Sequence, residues 1–240
     1  MSAEVPPQDA RVAKHTTRGI FISGTDTGVG KTRMAVALLR LLVASGVRAV
    51  GMKPVAAGIS SGARVNADVD ALLAAGNVAA PSAEVNPFSF APAIAPHLAA
   101  AQAGVAIDLE SIASAYRRLC ARADVVVVEG AGGVLVPLNA KVDMLDVAAR
   151  LGLPILLVVG IRLGCLNHAL LSAHAISTRG LAFGGWIANR IDPAMAAADD
   201  NVATLAQRLP APLIADVDWC EGQGQDACIG SEALAALGIG

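Results

Sequence analysis

Aromatic side chains are scarce, with one tyrosine, four phenylalanines and two tryptophans in 240 residues, although 55% of the chain is hydrophobic. The apolar content is therefore mostly Ala, Val and Leu, which suits a parallel sheet covered by helices. An excess of positive charge is missing too. Lys and Arg number 18 against 20 Asp and Glu, so no basic field exists to hold nucleic acid or an anionic membrane. Any affinity for phosphate must come from a local site. The most apolar stretch, LPILLVVGI, falls far short of the roughly 20 residues of a membrane helix. Neither a nucleic-acid nor a membrane partner is expected. The four cysteines (Cys120, Cys165, Cys220 and Cys228) show no CxxC spacing, and no His/Cys cluster has zinc spacing. The opening MSAEVPPQDARVAKHTT lacks the apolar core of a secretory signal. It reads as a loose tail over residues 1–17, the thiols as reduced, and the protein as cytoplasmic.

What is present is an alternation of strand and helix patterns over residues 18–240, a length that suits one large domain. The apolar run GIFIS (19–23) leads into a glycine-rich loop. A helical pattern follows in KTRMAVALLRLLVASG, with Gly46 as its stop, and VRAVGMK is the next strand, ending at Lys53. Residues 54–96 are rich in Gly, Pro, Ser and Asn, with one short helix expected near 68–75. Another helix is expected over 108–121. ADVVVVEGAGG carries the continuous β-branched run of a strand buried on both faces, and PILLVVGI is similar. HALLSAHAISTRG reads as helix, LAFGGWIAN as strand, and 194–209 as helix. This order predicts an α/β fold with a mainly parallel central sheet and helices on both faces. Ligands in such folds gather at the carboxyl ends of strands, where Gly24, Lys53, Glu129, Arg162 and Asn189 all fall.

The loop itself, GTDTGVGKT (24–32), departs from the usual phosphate-binding pattern G-x-x-x-x-G-K-[ST] by one extra residue at its front. Its phosphate-holding half, residues 28–32, is intact. Gly28 and Gly30 let backbone N–H groups turn inward, Lys31 can reach terminal phosphates, and the Thr32 hydroxyl can take a Mg²⁺ position. The helix that starts there adds its positive end. The loop predicts a nucleotide-binding, P-loop NTPase-like domain. Partition-type ATPases carry a signature lysine early in this loop; here that place holds the acidic Asp26.

GTDTGVGKT, GMKPVAAG, APHLAA, VVVVEGAGGVLVPL, LGCLNHALL and WIANRIDP follow one another in an order and spacing that resemble the dethiobiotin synthetases. These are ATP-dependent ligases that close the ureido ring in biotin synthesis. The resemblance runs from about residue 19 to the region of Trp219. It implies that 7,8-diaminononanoate forms a carbamate with CO₂, that ATP phosphorylates it to a carbamic–phosphoric anhydride, and that the second amine closes the ring. Amide-forming ligases of corrin precursors share the loop style, but they add a glutaminase domain for which 240 residues leave no room.

The same resemblance implies residue roles. Lys31 would bridge the γ-phosphate and the carbamate, Lys53 would face the carbamate and the transferred phosphoryl group, and Thr27 would touch the substrate amine or carbamate. ATP would lie against Gly28, Val29, Gly30, Lys31, Thr32 and Arg33, and against Glu129, Gly130, Ala131 and Gly132. Asn189 could pair with the adenine edge beside Arg190, with Asp218, Trp219 and Cys220 covering the purine. Glu129, costly to bury unpaired, would share a Mg²⁺ ion with Thr32 and Asp68. Asp70 is an alternative to Asp68, which also suits the first turn of a helix. Ala57 stands where family members often carry a substrate-contacting serine, and Gly132 is also placed near the substrate. Gly164, Cys165 and Asn167 precede or open a helix whose N–H groups could take the substrate's distal carboxylate. The resemblance implies that they reach across a homodimer interface.

Overall fold

The computed structural model describes residues 18–60, 62–63, 65–219 and 229–239. In chain order the elements are β1 (Arg18–Gly24), α1 (Lys31–Ala44), β2 (Ala49–Met52), β3 (Val55–Ala57), α2 (Ala67–Ala75) and α3 (Ser82–Val85). Then come β4 (Phe88–Phe90), α4 (Pro96–Gln102), α5 (Leu109–Cys120), β5 (Val125–Glu129), α6 (Met144–Leu151) and β6 (Ile155–Ile161). The last are α7 (Cys165–Thr178), β7 (Phe183–Arg190), α8 (Ala198–Arg208), β8 (Leu213–Val217) and α9 (Glu232–Leu237).

The valine run of β5 shows how the sheet is built. Successive side chains point to opposite faces, so Val125 and Val127 pack on one side with α1, α2 and α9 residues such as Leu38, Leu72 and Leu234. Val126 and Val128 pack on the other side with Ile112 of α5, Val147 of α6, Ile176 of α7 and Leu205 of α8. Helices on both faces leave every β5 residue buried, which is why its sequence shows no polar alternation. Six strands pair in parallel in the order β2-β5-β1-β6-β7-β8. The chain leaves β1 toward β2 on one side, and later crosses to β6 on the other. The direction of winding reverses beside β1, and a binding crevice forms at such a reversal, outside the carboxyl ends.

The α1 helix places Met34, Ala35, Leu38, Leu39 and Leu42 on its buried stripe, a 3.6-residue period. It ends where Gly46 takes φ 81° and Val47 N bonds back to Leu42 O, as a left-handed cap allows. The helix expected at 108–121 is α5, capped by the Asp108 carboxylate on Ser111 N. Two expectations need correction. Helix α8 begins at Ala198, not at 194, because the Asp192 side chain accepts from Ala194 N at 3.0 Å and its carbonyl from Met195 N, forming a turn. Between 54 and 96 the chain also holds a separate two-stranded parallel sheet of β3 and β4 and the short helix α3. Helices α4, α6 and α9 and strand β8 are further elements that the sequence patterns did not predict.

Helix α6 anchors the glycine-rich turn that follows β5. Met144 N bonds to Val136 O, and Asp143 and Asp146 form a reciprocal capping box. Arg179, at the end of α7, binds both carboxylates. Replacing Asp143 by Ala removes the cap and one Arg179 partner together. The expected outcome is a loss of about 1–2 kcal/mol of stability and a fall in Tm of about 2–8 °C, read by calorimetry. An unchanged Tm would show that the cap does not anchor this corner.

Candidate active site

Two strand ends and two helix starts converge on one polar cluster. Lys53, one residue beyond β2, is only 4% exposed. Its ammonium donates to Glu129 Oε1 at 2.5 Å and to Asp68 Oδ2 at 2.8 Å. Glu129 closes β5 and is fully buried; Asp68 lies in the first turn of α2. Thr32, in the first turn of α1, donates its hydroxyl to the same Glu129 Oε1 at 2.8 Å. Of the two acidic candidates of α2, Asp68 meets Lys53, whereas Asp70 is exposed. Asn66 caps that helix through Asp68 N and donates to Gly58 O at 2.8 Å, fixing where Asp68 sits. The sequence offered no signal for Asn66 beyond its type, a favoured N-cap.

The charges follow from this packing. Burial pulls Lys31 down to about 8, and the neighbouring Lys53 cation adds to the effect. Burial would also lower Lys53, but the Glu129 and Asp68 carboxylates outweigh it and hold it above its ordinary value. For Asp68, burial raises the pKa, and the Lys53 charge and hydrogen bond reverse this, so it lies below its ordinary value. The second Glu129 oxygen, Oε2, is buried without a hydrogen-bond partner among the described residues. An orphaned carboxylate oxygen beside a threonine hydroxyl and a second carboxylate is a hard-oxygen donor set that fits Mg²⁺. That ion takes one or two carboxylates and completes its shell with water and substrate phosphates.

The glycine loop is held from several sides. Thr25 N bonds to Val158 O of β6, and Lys31 Nζ donates to Asp26 O at 2.8 Å. The Asp26 carboxylate accepts from Thr27 N and from Arg162 just beyond β6. Asp26 stands in the place of the partition-type lysine; Arg162 is expected at a strand end, but its pairing with Asp26 is not. Gly30 has φ 92°, and a Cβ there would come within 2.2 Å of Asn189 Nδ2, so only glycine fits. Thr27 and Gly28 are exposed at the mouth of the loop, with Gly132 alongside, where a Cβ would lie 3.6 Å from Thr27 Oγ1. Val29 is buried, so it can offer a ligand only its backbone. Ala57 ends β3, its carbonyl 3.4 Å from the Asn66 amide.

Asn189 carries more than the sequence suggests. Its amide donates to Val29 O at 2.8 Å and accepts from Arg33 at 3.2 Å, so both ends already tie β7 to the loop and α1. Each end retains one further donor or acceptor. Arg190 is paired with Asp216 and Asp199 and borders a cleft of about 630 Å³ lined also by Met195, Asp218 and Trp219. Cys220 lies outside the described residues, as does the 1–17 segment. Gly164 is the N-cap of α7 and Cys165 its first residue. Here too the expectation is narrowed. Cys165 N donates to Arg162 O and its side chain is buried, leaving Leu166 and Asn167 as the amides at the helix start without an intrahelical acceptor. His97 Nδ1 is buried away from this cluster, against a separate apolar groove.

A family model described as an AAA domain matches residues 18–225. The chain is 53% identical over 197 residues to the ATP-dependent dethiobiotin synthetase BioD of Nitrosospira multiformis, covering 82% of this chain and 86% of that protein. Among solved structures, a ParA family ATPase from Chlorobium tepidum superposes with a TM-score of 0.53 at 12% identity, over 85% of this chain and 86% of that one. The signal recognition particle receptor FtsY from Elizabethkingia anophelis gives 0.51 at 18%, over 92% of this chain and 65% of that one. These two likenesses show the α/β fold alone. Identity of 53% over most of both chains shows more: the chain belongs to the dethiobiotin synthetase family.

Proposed function

We propose that this chain is an ATP-dependent ligase of biotin synthesis that closes the ureido ring of dethiobiotin from 7,8-diaminononanoate and CO₂. The observation that carries this reading is the cluster of Lys31, Thr32, Lys53, Asp68 and Glu129 beside the glycine loop. One amine of the substrate takes up CO₂ as a carbamate. Its oxygen attacks the γ-phosphorus of ATP, ADP leaves, and a carbamic–phosphoric anhydride results. The second amine attacks the carbonyl carbon, phosphate departs, and the ring closes. Such transfers need positioned positive charge more than covalent help from the protein.

Lys31 would bind the phosphates and the carbamate, and Lys53 would meet the carbamate and the phosphoryl group in transit. Two carboxylates keep Lys53 protonated through neutral pH. Thr27, at the exposed mouth of the loop with Gly132, is suited to the reacting amine. Thr32, Asp68 and Glu129 would hold Mg²⁺, which when bound neutralises charge on the phosphates. The cleft at Arg190, Asp218 and Trp219 adjoins the loop through Asn189 and suits the base. The N-terminus of α7 suits a distal carboxylate. Leu163 and Leu171, just before and on α7, are 91% and 60% exposed, which supports a homodimer in which this turn serves the partner's site.

Three outcomes follow. Purified protein with Mg²⁺, ATP, bicarbonate and the diamine should yield ADP, phosphate and dethiobiotin in equal amounts; AMP, or turnover indifferent to the diamine, would refute the assignment. Because free Lys31 loses its proton near pH 8, binding of a triphosphate above that pH must draw a proton in. Affinity for a non-hydrolysable ATP analogue should weaken between pH 7.5 and 9.5, by up to about tenfold per pH unit above the pKa. Calorimetry in buffers of different ionisation heat should record the proton uptake; none at pH 8.5 would show Lys31 already charged. Finally, mixed dimers of Lys31→Ala and Asn167→Ala chains should have one intact site in two. Tagged heterodimers no more active than the two parent variants would mean each subunit completes its own site.

A further inference from the structure

Lys53 stands outside the ladder that joins β2 to β5, whose last pair is Met52 with Val128. Its peptide groups must find partners elsewhere, because buried N–H and C=O groups are costly to leave unpaired. One short segment supplies both. Lys53 N donates to Val85 O at 2.8 Å, and Asn86 Nδ2 donates to the Lys53 carbonyl at 2.6 Å. The same nitrogen donates to Phe88 O at 3.0 Å, while Phe88 N donates to Pro54 O. The orientation of the amide is set by chemistry, since both neighbours are carbonyl oxygens and only the NH₂ end can serve them. Asn86 is 7% exposed. The peptide that joins Lys53 to Pro54 carries no N–H, so its carbonyl is the one group to be satisfied, and the Asn86 side chain serves it.

We propose that Asn86 is a positioning residue for Lys53. By gripping the lysine's carbonyl from the α3–β4 link, it sets where the main chain leaves β2 and so where the ammonium sits between Asp68 and Glu129. This rests on the role given to Lys53 above. A displacement of about 1 Å at such a group can cost on the order of a hundredfold in rate, while nucleotide held by the loop would feel little of it.

The test compares Asn86→Ala and the near-isosteric Asn86→Asp, which loses both donated bonds, with Lys53→Ala. Glu84→Gln is the control; this residue lies on α3 and binds Arg118 and Arg122 instead. Thermal unfolding establishes which variants fold, and full-length proteins are assayed with ATP, bicarbonate and 7,8-diaminononanoate. The Asn86 variants should lose about ten- to a hundredfold in kcat, with KM for ATP within about threefold of the parent. Glu84→Gln should keep its kcat. In single-turnover assays, adding Asn86→Ala to Lys53→Ala should slow the reaction by less than about threefold, because the two act as one unit. A folded Asn86 variant with parental kcat beside an impaired Lys53→Ala would overturn the proposal. So would additive losses in the double variant, an equal kcat loss in Glu84→Gln, or failure of both Asn86 variants to fold. Parental kcat in Lys53→Ala would instead remove the role of Lys53 itself, and the proposal with it.

Discussion

A buried lysine ammonium shared by two carboxylates is the constraint from which the rest of this site follows. Taking charges out of water costs several kcal/mol each, and only close, well-bonded pairing recovers it. Lys53 follows β2 directly, Glu129 closes β5 and Asp68 opens α2, so their pairing ties together three separate elements. Thr32 adds the start of α1 through the same Glu129 oxygen. The parallel sheet makes this possible, because β1, β2 and β5 are neighbours and end at the same edge. The remaining Glu129 oxygen is buried without a hydrogen-bond partner among the described residues. A divalent cation with water and phosphate around it would complete the arrangement.

The second organising contact is Asn189. It holds Val29 O of the glycine loop against β7 and takes a bond from Arg33, so the loop is braced from the far side of the sheet. The Asp26–Arg162 pair braces it again from beyond β6. Both charged partners are about half exposed, and a pair of that kind contributes little to stability. Its effect is to orient the loop and the start of α7 relative to each other. A loop held this way loses less freedom when it closes on phosphates.

Much of this was legible along the chain. The four valines before Glu129 marked a strand covered on both faces, and the α1 period and the Gly46 stop were plain. GKT after an apolar run located the phosphate site. Legibility failed where elements were too short for a period to show, as in the three-residue strands β3 and β4. It failed also where a polar turn imitates a helix, as at Asp192 before α8. Asn66, Asn86 and Arg162 gave no warning of their parts, because each acts on a segment that only folding brings near.

The sequence by itself determined the alternation of strands and helices, the phosphate-binding loop and the family. All three are written in local patterns, namely the periods of 2 and 3.6, glycines at special backbone angles, and motifs in fixed order. Tertiary structure decided which carboxylate serves Lys53, choosing Asp68 over Asp70. It also turned Asn189 toward the loop and engaged Cys165 N at the α7 turn. These outcomes depend on distance and burial between segments that are remote in the chain. Residue type and spacing carry no record of which of two neighbouring side chains faces a buried charge, and the packing of α2 on the sheet settles it.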